Sequence, residues 1–239
     1  MVKDSARMGW RSYDYLVRMG KIPTRSNIDL ASPTYTFDPT AGRYRSKATG
    51  RFVSEKAILS DIERYNETVL ADALEDLTKR MLDGRLDLAS WQRQMAQEIK
   101  DSFIVNLQVG RGGKNATSFS DYGRAGNRLR FQYQRLNDFA AKIQLGDLTP
   151  AQIIANARMY GLAPRTAFFD GVTSAKYAAG YVEERRVLNP AEHCSDCIQL
   201  AGLGWQPIGS LPERGDGSTV CLTNDKCTKQ YRRFDGTIE

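Results

Sequence analysis

The sequence predicts a mainly α-helical protein. Long antiparallel helices lie between an extended N-terminal arm and a small cysteine-rich C-terminal module that contains short β-strands. Apolar residues recur at steps of three and four through residues 53–187, which is the spacing of amphipathic helices. Residues 1–52 lack this period and hold several glycines and prolines, whereas residues 188–239 contain every cysteine of the chain. We therefore expect three segments: an arm over 1–52, a helical body over 53–187 and the module over 188–239.

Positive charge is concentrated near the N-terminus. Residues 1–56 hold eleven basic and five acidic side chains, whereas the rest of the chain holds 23 of each. Such a segment suits a polyanion or an acidic protein surface, and a solvated tail that keeps the protein soluble has the same composition. The candidate contact residues of the arm, for nucleic acid or a protein partner, are Arg7, Arg11, Arg18, Arg43, Arg45, Lys47 and Arg51.

The arm itself shows little regular structure. A short helix is expected over roughly residues 5–19, and the rest reads as extended chain in which Tyr35, Phe37, Tyr44 and Phe52 are isolated anchors. A segment with so few apolar residues has little core of its own to form. We therefore expect the arm to become ordered by lying on another body, such as a second chain.

Two long helices begin the body. Ser54 can cap a helix of nearly thirty residues that ends at Gly84. A second helix carries apolar residues at unbroken steps from Leu88 to Leu107. Because the turn between them is short and contains glycine, we expect an antiparallel hairpin with Trp91 in its core.

A glycine-rich turn and a third helix follow. Residues 110–114 read Gly-Arg-Gly-Gly-Lys, which lacks the Gly-Lys-Ser/Thr ending and preceding strand of a nucleotide-binding loop, so we interpret them as a turn. The third helix is expected over about residues 120–143. Arg124, Arg128 and Arg135 share one of its faces and are candidate phosphate contacts, although such arginines usually form a solvated face.

Two further helices complete the expected body. Gly146 stops the third helix, and Thr149 and Pro150 are typical of the cap and first position of the next. Helices are therefore expected over residues 151–160 and about 165–186, with strands confined to the C-terminal quarter.

The C-terminal module contains two cysteine pairs. Cys194 and Cys197 have Cys-x-x-Cys spacing, whereas five residues separate Cys221 from Cys227. The intervening segment is rich in glycine and polar residues, and a short segment with little to bury needs a covalent or metal crosslink. Four clustered thiolates are a typical ligand set for tetrahedral zinc, which would make the module zinc-ribbon-like.

Other states of the cysteines remain open. The chain shows no apolar leader at its start, so we expect reduced thiols rather than two disulfides. Structural zinc and four free thiols are then equal alternatives, since the second pair is wider than the usual spacing. His193 and Asp225 are substitute ligands, but His193 is expected to lie on the surface beside Cys194, because four cysteines already complete the set.

The residue inventory argues against an enzyme. The chain has one histidine, no Ser-His-Asp set and no paired carboxylates beside the cysteines, and four cysteine ligands leave a zinc ion no open position. No apolar run reaches the ~20 residues of a membrane span, so no membrane partner is expected. The alternative function is a zinc-module DNA-binding protein, with basic residues near the cysteines at Lys226, Lys229, Arg232 and Arg233.

A series of short motifs extends from about residue 49 to 231. They are Gly50-Arg51-Phe52-Val53, Gly84 with Trp91, Gly110-Arg111-Gly112-Gly113, Gln132-Tyr133 with Leu136 and Phe139, Ala157-Arg158-Met159-Tyr160, His193-Cys194, Asp196-Cys197, Gly204-Trp205, Leu211-Pro212, Cys221-Leu222-Thr223-Asn224 and Cys227. In these motifs the chain resembles the minor head, or head-morphogenesis, proteins of tailed bacteriophages of the Mu-like type. The C-terminal ending carries the most specific part of the resemblance.

The resemblance implies a structural virion component, assembled in the host bacterial cytoplasm and present in the phage head in a few copies. It implies portal and capsid proteins as partners, a role in head assembly and a contact with packaged double-stranded DNA. Such endings commonly finish in Cys-x-Cys, and Asp225 stands where the first of these cysteines is usual. Two ligand sets are therefore open, either the four cysteines or a set in which Asp225 replaces one of them.

Overall fold

A computed structural model describes residues 35–222 and 225–239. The expected helix over 5–19 and the contact residues Arg7, Arg11 and Arg18 lie outside the described residues. The described chain is mainly helical with small antiparallel sheets, as predicted. The strands are β1 Tyr35–Asp38, β2 Arg43–Ser46, β3 Phe52–Val53, β4 Tyr181–Val187, β5 Gln206–Pro207 and β6 Thr228–Arg233. The helices are α1 Glu55–Tyr65, α2 Ala71–Leu82, α3 Leu88–Arg111, α4 Phe119–Leu145, α5 Pro150–Met159, α6 Arg165–Ala178 and α7 Ser195–Gly202.

The two long helices that were predicted at the start of the body are present and pack against each other. Helices α1 and α2 run into each other through a π-helical turn over Asn66–Leu70, so the first long helix spans almost the length expected. The Ser54 hydroxyl accepts the N–H of Ala57 at 3.2 Å and caps it. After the turn, Trp91 of α3 is fully buried and donates from Nε1 to the Thr78 hydroxyl at 3.1 Å, which fastens α3 to α2.

Helix α3 forms the centre of the body, and glycines let it approach α6 closely. A Cβ atom at Gly110 would lie 2.0 Å from the Phe168 carbonyl oxygen, and one at Gly171 would lie 2.4 Å from the Leu107 carbonyl oxygen. Both distances are far inside van der Waals contact, so the two backbones can touch only where side chains are missing. Gly110 and Arg111 thus lie in the last turn of α3, and the turn that was predicted over 110–114 begins only at Gly112, the left-handed C-cap of this helix.

Residues 35–53 form a three-stranded antiparallel sheet in the order β1-β2-β3, which differs from the extended arm expected over 1–52. Tyr35 and Tyr44 are buried in the main core. The Tyr44 hydroxyl donates to the Gly110 carbonyl of α3, and the Tyr35 hydroxyl donates to Asp61 of α1 at 2.8 Å. The predicted boundary at residue 52 therefore cuts through a folded unit, because the aromatic anchors find their partners on the body of the same chain.

The last predicted helix ends earlier than expected. Helix α6 stops at Ala178, and Gly180 has a φ of 85°, a left-handed conformation that favours glycine. The chain then continues as β4, which pairs antiparallel with β6 on one side and β5 on the other. Residues 181–187 therefore belong to the C-terminal sheet, and the boundary expected at residue 187 lies nearer Gly180.

Candidate metal centre

The first cysteine pair lies at the start of helix α7. Cys194 is the N-cap residue, in extended conformation, and Cys197 lies in the first turn. The backbone N–H groups of Cys197 and Cys221 donate to the Cys194 sulfur and lower the pKa of that thiol. The N-terminal end of a helix also favours negative charge. The surroundings of Cys194 therefore favour its thiolate form over what a free cysteine would show.

Cys197 joins the two pairs. Its thiol contacts those of Cys194, Cys221 and Cys227, and its sulfur lies 3.6 Å from that of Cys221. Two sulfurs bound to one tetrahedral zinc ion at ~2.3 Å are separated by about 3.8 Å, so this spacing fits a shared metal and is too long for a disulfide bond. All four cysteines are free thiols. The cluster can therefore hold a metal ion.

Burial sets the protonation of the inner thiols. Cys197 and Cys227 are each 2% exposed. Burial is the largest influence and raises the pKa of both thiols, and in Cys197 contacts with the other cysteines raise it further. Both are therefore protonated at neutral pH in the absence of a metal ion. Binding of a divalent ion must displace these protons, which makes affinity dependent on pH.

Asp225 lies beside the cluster and is held from two sides. Its carboxylate lies with Cys197 and Cys227 in a group whose potential ligand atoms are within 4.8 Å of one another. One oxygen, Oδ2, accepts from the Arg186 guanidinium at 3.1 Å. The other, Oδ1, accepts the Cys227 backbone N–H at 2.9 Å. Each oxygen accepts one hydrogen bond and keeps a second lone pair, so the geometry allows Asp225 either as a metal ligand or as a support that orients Cys227.

His193 is also close to the cluster. Its Nε2 lies 2.7 Å from the Asn189 carbonyl oxygen, and because that oxygen can only accept, Nε2 must carry a proton. Its Nδ1 lies 3.6 Å from the Cys227 sulfur. His193 was expected on the surface beside Cys194. In the structure it is half-buried, and its ring contacts Cys227.

A buried ionic cluster joins the module to the helical body. Lys229 donates to Glu184 at 3.1 Å and to Glu213 at 2.9 Å, and these three side chains are at most 8% exposed. Glu213 also accepts from the Thr173 hydroxyl of α6 at 2.7 Å. Arg214 contacts the Cys227 carbonyl oxygen and pairs with Glu55 at the start of α1. The cysteine module is therefore packed onto the body rather than attached by a free linker.

The supporting role of these residues was not predicted from the sequence. Lys229 was expected as a solvent-facing DNA contact, but it is 1% exposed and paired with two carboxylates. Arg232, expected in the same role, pairs with Glu183. The available signal was a local alternation, in which Glu184 and Arg186 of β4 and Lys229 and Tyr231 of β6 are buried and the residues between them are not. This alternation predicts burial of the charged residues only if the pairing of the two strands is already known.

The predicted arginines of α4 divide into two kinds. Arg124 pairs with the buried Asp121 and contacts Ser174. Arg128 donates to Asp170 at 2.8 Å from Nη2 and also through Nε, and it lies 3.8 Å from Asp216. Both guanidinium groups pair with carboxylates of the same chain. These internal ion pairs account for the shared helix face of Arg124 and Arg128, so no phosphate is needed to explain it. Arg135 is exposed to solvent.

The four basic residues expected in the described part of the arm lie on the N-terminal sheet. Arg43 and Arg45 belong to β2, and Lys47 and Arg51 belong to the exposed loop before β3. Among the helices that the structure describes, none is long and apolar enough to cross a lipid bilayer. Comparison with known protein families, curated proteins and solved structures finds no match to this chain.

Proposed function

We propose that this chain is a structural protein of a tailed-phage head, and that its four cysteines hold a structural zinc ion. The observation that carries the metal assignment is the position of Cys197, whose thiol contacts those of Cys194, Cys221 and Cys227. Zinc bound by these four sulfurs has no open position for a substrate. Its role is to hold the two cysteine-bearing loops together.

The strands around the cluster support a zinc-ribbon-like module. Strand β4 ends at Val187, shortly before the first cysteine pair, and β6 begins at Thr228, directly after Cys227. The two strands pair over six positions, so they bring the distant pairs to one end of a small sheet. We assign Asp225 to the surroundings of the metal, because four cysteine sulfurs already supply the four ligands of a tetrahedral zinc ion, and Asp225 orients Cys227 by accepting its backbone N–H.

The assembly role rests on the resemblance of the C-terminal ending to phage minor head proteins. The proposed partners are the portal and capsid proteins, with several copies of this chain docked in one particle and a contact with packaged DNA. The protein would be assembled in the host bacterial cytoplasm and would reside in the virion. A body packed onto its metal module through the Thr173–Glu213 and Glu55–Arg214 contacts suits an adaptor between larger bodies.

Elemental analysis of the purified full chain tests the metal. One zinc ion per chain is expected in the unsubstituted protein and in Ser195→Ala, whose side chain is exposed between the first two cysteines. Cys197→Ser removes the sulfur shared by both halves of the cluster and is expected to reduce bound zinc to near zero. A zinc-free unsubstituted chain, or full occupancy in Cys197→Ser, would overturn the assignment.

Co-purification tests the assembly role independently. The chain is expected to copurify with the portal and capsid proteins of its phage and to be present in purified heads by mass spectrometry. Its absence from those particles would refute the head assignment while leaving the zinc measurement valid.

A further inference from the structure

The N-terminal sheet has two chemically different faces. Side chains alternate along its strands: Tyr35 and Tyr44 point into the core, whereas Thr36 and Arg43 are exposed. We define the outer face as the side that carries Thr36, Asp38, Arg43, Arg45 and Phe52. The register places Arg45 opposite both Thr36 of β1 and Phe52 of β3. Arginine and one aromatic ring therefore dominate this outer face.

Two guanidinium groups lie over the Phe52 ring. The Cζ atom of Arg45 lies 3.8 Å from the ring centroid and that of Arg43 lies 4.7 Å from it, while the ring itself remains 38% exposed. Stacking orders a planar guanidinium but leaves its N–H edge free to bind an anion. Arg45 uses part of this edge, since its Nε donates to Asp38 at 2.9 Å and its Nη1 donates to the Gly50 carbonyl at 3.2 Å. Arg43 forms no ion pair among the described residues.

The loop that leads into β3 adds further positive charge. Lys47 and Arg51 are exposed, and neither they nor the exposed Lys56 of α1 is ion-paired within the described residues. The loop is closed by two backbone hydrogen bonds, from Gly50 N–H to the Ser46 carbonyl at 2.8 Å and from Ser46 N–H to the Arg51 carbonyl at 2.9 Å. The cations are thus carried on an ordered ribbon.

We propose that this basic hairpin, β2 with its loop and β3, binds the phosphate backbone of double-stranded DNA through Arg43, Arg45, Lys47 and Arg51. A polyanion gains affinity by releasing counterions and needs no buried apolar area. A protein partner needs a desolvated anchor at the centre of its interface. The aromatic ring of this face, Phe52, already stacks with two guanidinium groups and is only 38% exposed.

This inference refines the DNA contact within the proposed function by naming its surface. It does not involve the cysteines. Failure of the binding experiment below would therefore remove the DNA contact and leave the zinc and assembly measurements unaffected.

Fluorescence anisotropy with a labelled 20-base-pair duplex tests the hairpin in the full chain. Each phosphate contact contributes about −0.9 to the slope of log K against log salt concentration, measured between 50 and 200 mM. Lys47→Ala/Arg51→Ala is expected to make this slope about 1.8 less negative and to weaken binding at least about tenfold. The matched control Arg93→Ala/Lys100→Ala removes two exposed charges from α3 and is expected to change binding by less than about twofold.

Arg43→Lys separates stacking from charge. Because lysine keeps the charge but not the planar fork, we expect weaker binding with an unchanged salt slope. Equal weakening by Lys47→Ala/Arg51→Ala and by the α3 control would overturn the proposal. So would hairpin-dependent binding to a polyglutamate peptide with none to the duplex, which would instead identify an acidic protein surface as the partner. Circular dichroism of each variant checks that the hairpin substitutions leave the fold intact.

Discussion

Asp225→Asn gives the sharpest test of how the metal module is supported. The substitution keeps the shape of the side chain but removes one charge from the Arg186–Asp225 pair, in which both side chains are 0% exposed. Arg186 also donates to the Pro212 carbonyl at 3.0 Å, so it cannot turn towards water. Removing one partner of a buried ion pair leaves the other charge uncompensated, which costs about 3–5 kcal/mol.

The substitution has a second effect on the metal itself. Asp225 accepts the Cys227 backbone N–H and orients that cysteine, and loss of such outer partners typically lowers metal affinity about 10–100-fold. An asparagine can still accept this N–H through its amide oxygen. We therefore expect Asp225→Asn to bind one zinc ion per chain with reduced affinity, and to lose about 3–5 kcal/mol of unfolding free energy.

Urea denaturation of the zinc-loaded chain and competition with a chelator measure the two effects. Asp147→Asn is the matched control, since Asp147 is exposed and surface substitutions usually change stability by less than about 0.5 kcal/mol. A loss below about 1 kcal/mol in Asp225→Asn would refute the argument from the buried pair. Loss of all bound zinc in a folded Asp225→Asn chain would show that Asp225 is a ligand, and would refute its placement outside the ligand set.

Two further substitutions test the body of the protein. Burial raises the pKa of Asp121, but the hydrogen bonds from Ser118 and the other groups around it outweigh this and lower it to about 2, below the ~3.9 of an unfolded chain. The carboxylate thus stabilises the fold above about pH 4, and this contribution is lost as the pH falls towards 2. Asp121→Asn should therefore cost about 2 kcal/mol at pH 7 by urea denaturation, with a difference from the unsubstituted chain that shrinks between pH 4 and 2; a constant difference would contradict this. Gly171→Ala should lower the free energy of unfolding by about 3 kcal/mol or more, because its Cβ would lie 2.4 Å from a backbone carbonyl oxygen. The control Gly126→Ala, with nothing within 4 Å of its Cβ, should stabilise the chain by about 0.5–1 kcal/mol. Equal melting temperatures for the two variants would refute the close crossing of α3 and α6.

The helices were predictable because their signals are local. Ser54 and Thr149 cap the helices that follow them, and Gly146 ends α4 in a left-handed conformation. Apolar spacing placed Trp91 in the core, where it is fully buried. Each of these features depends on residues within one or two turns of each other, so the sequence alone was sufficient.

The strands and the charged groups depended on partners far away in the chain. Residues 181–187 carry apolar side chains that also suit a helix, and they become β4 only because Thr228–Arg233 supplies its hydrogen-bonding partner. Tyr44 is a core residue only because Gly110 and its carbonyl lie beneath it.

The roles of charged residues divide in the same way. Composition indicated that the chain is basic near its start. It did not distinguish Arg128 and Lys229, which are ion-paired, from Arg43, which is exposed. Arg128 and Lys229 meet carboxylates from other elements, whereas Arg43 lies on an exposed sheet face. A local pattern sets which elements form, but whether a charge is satisfied inside or left for a partner depends on the groups that folding brings to it, because electrostatic contacts act over a few ångströms regardless of separation along the chain.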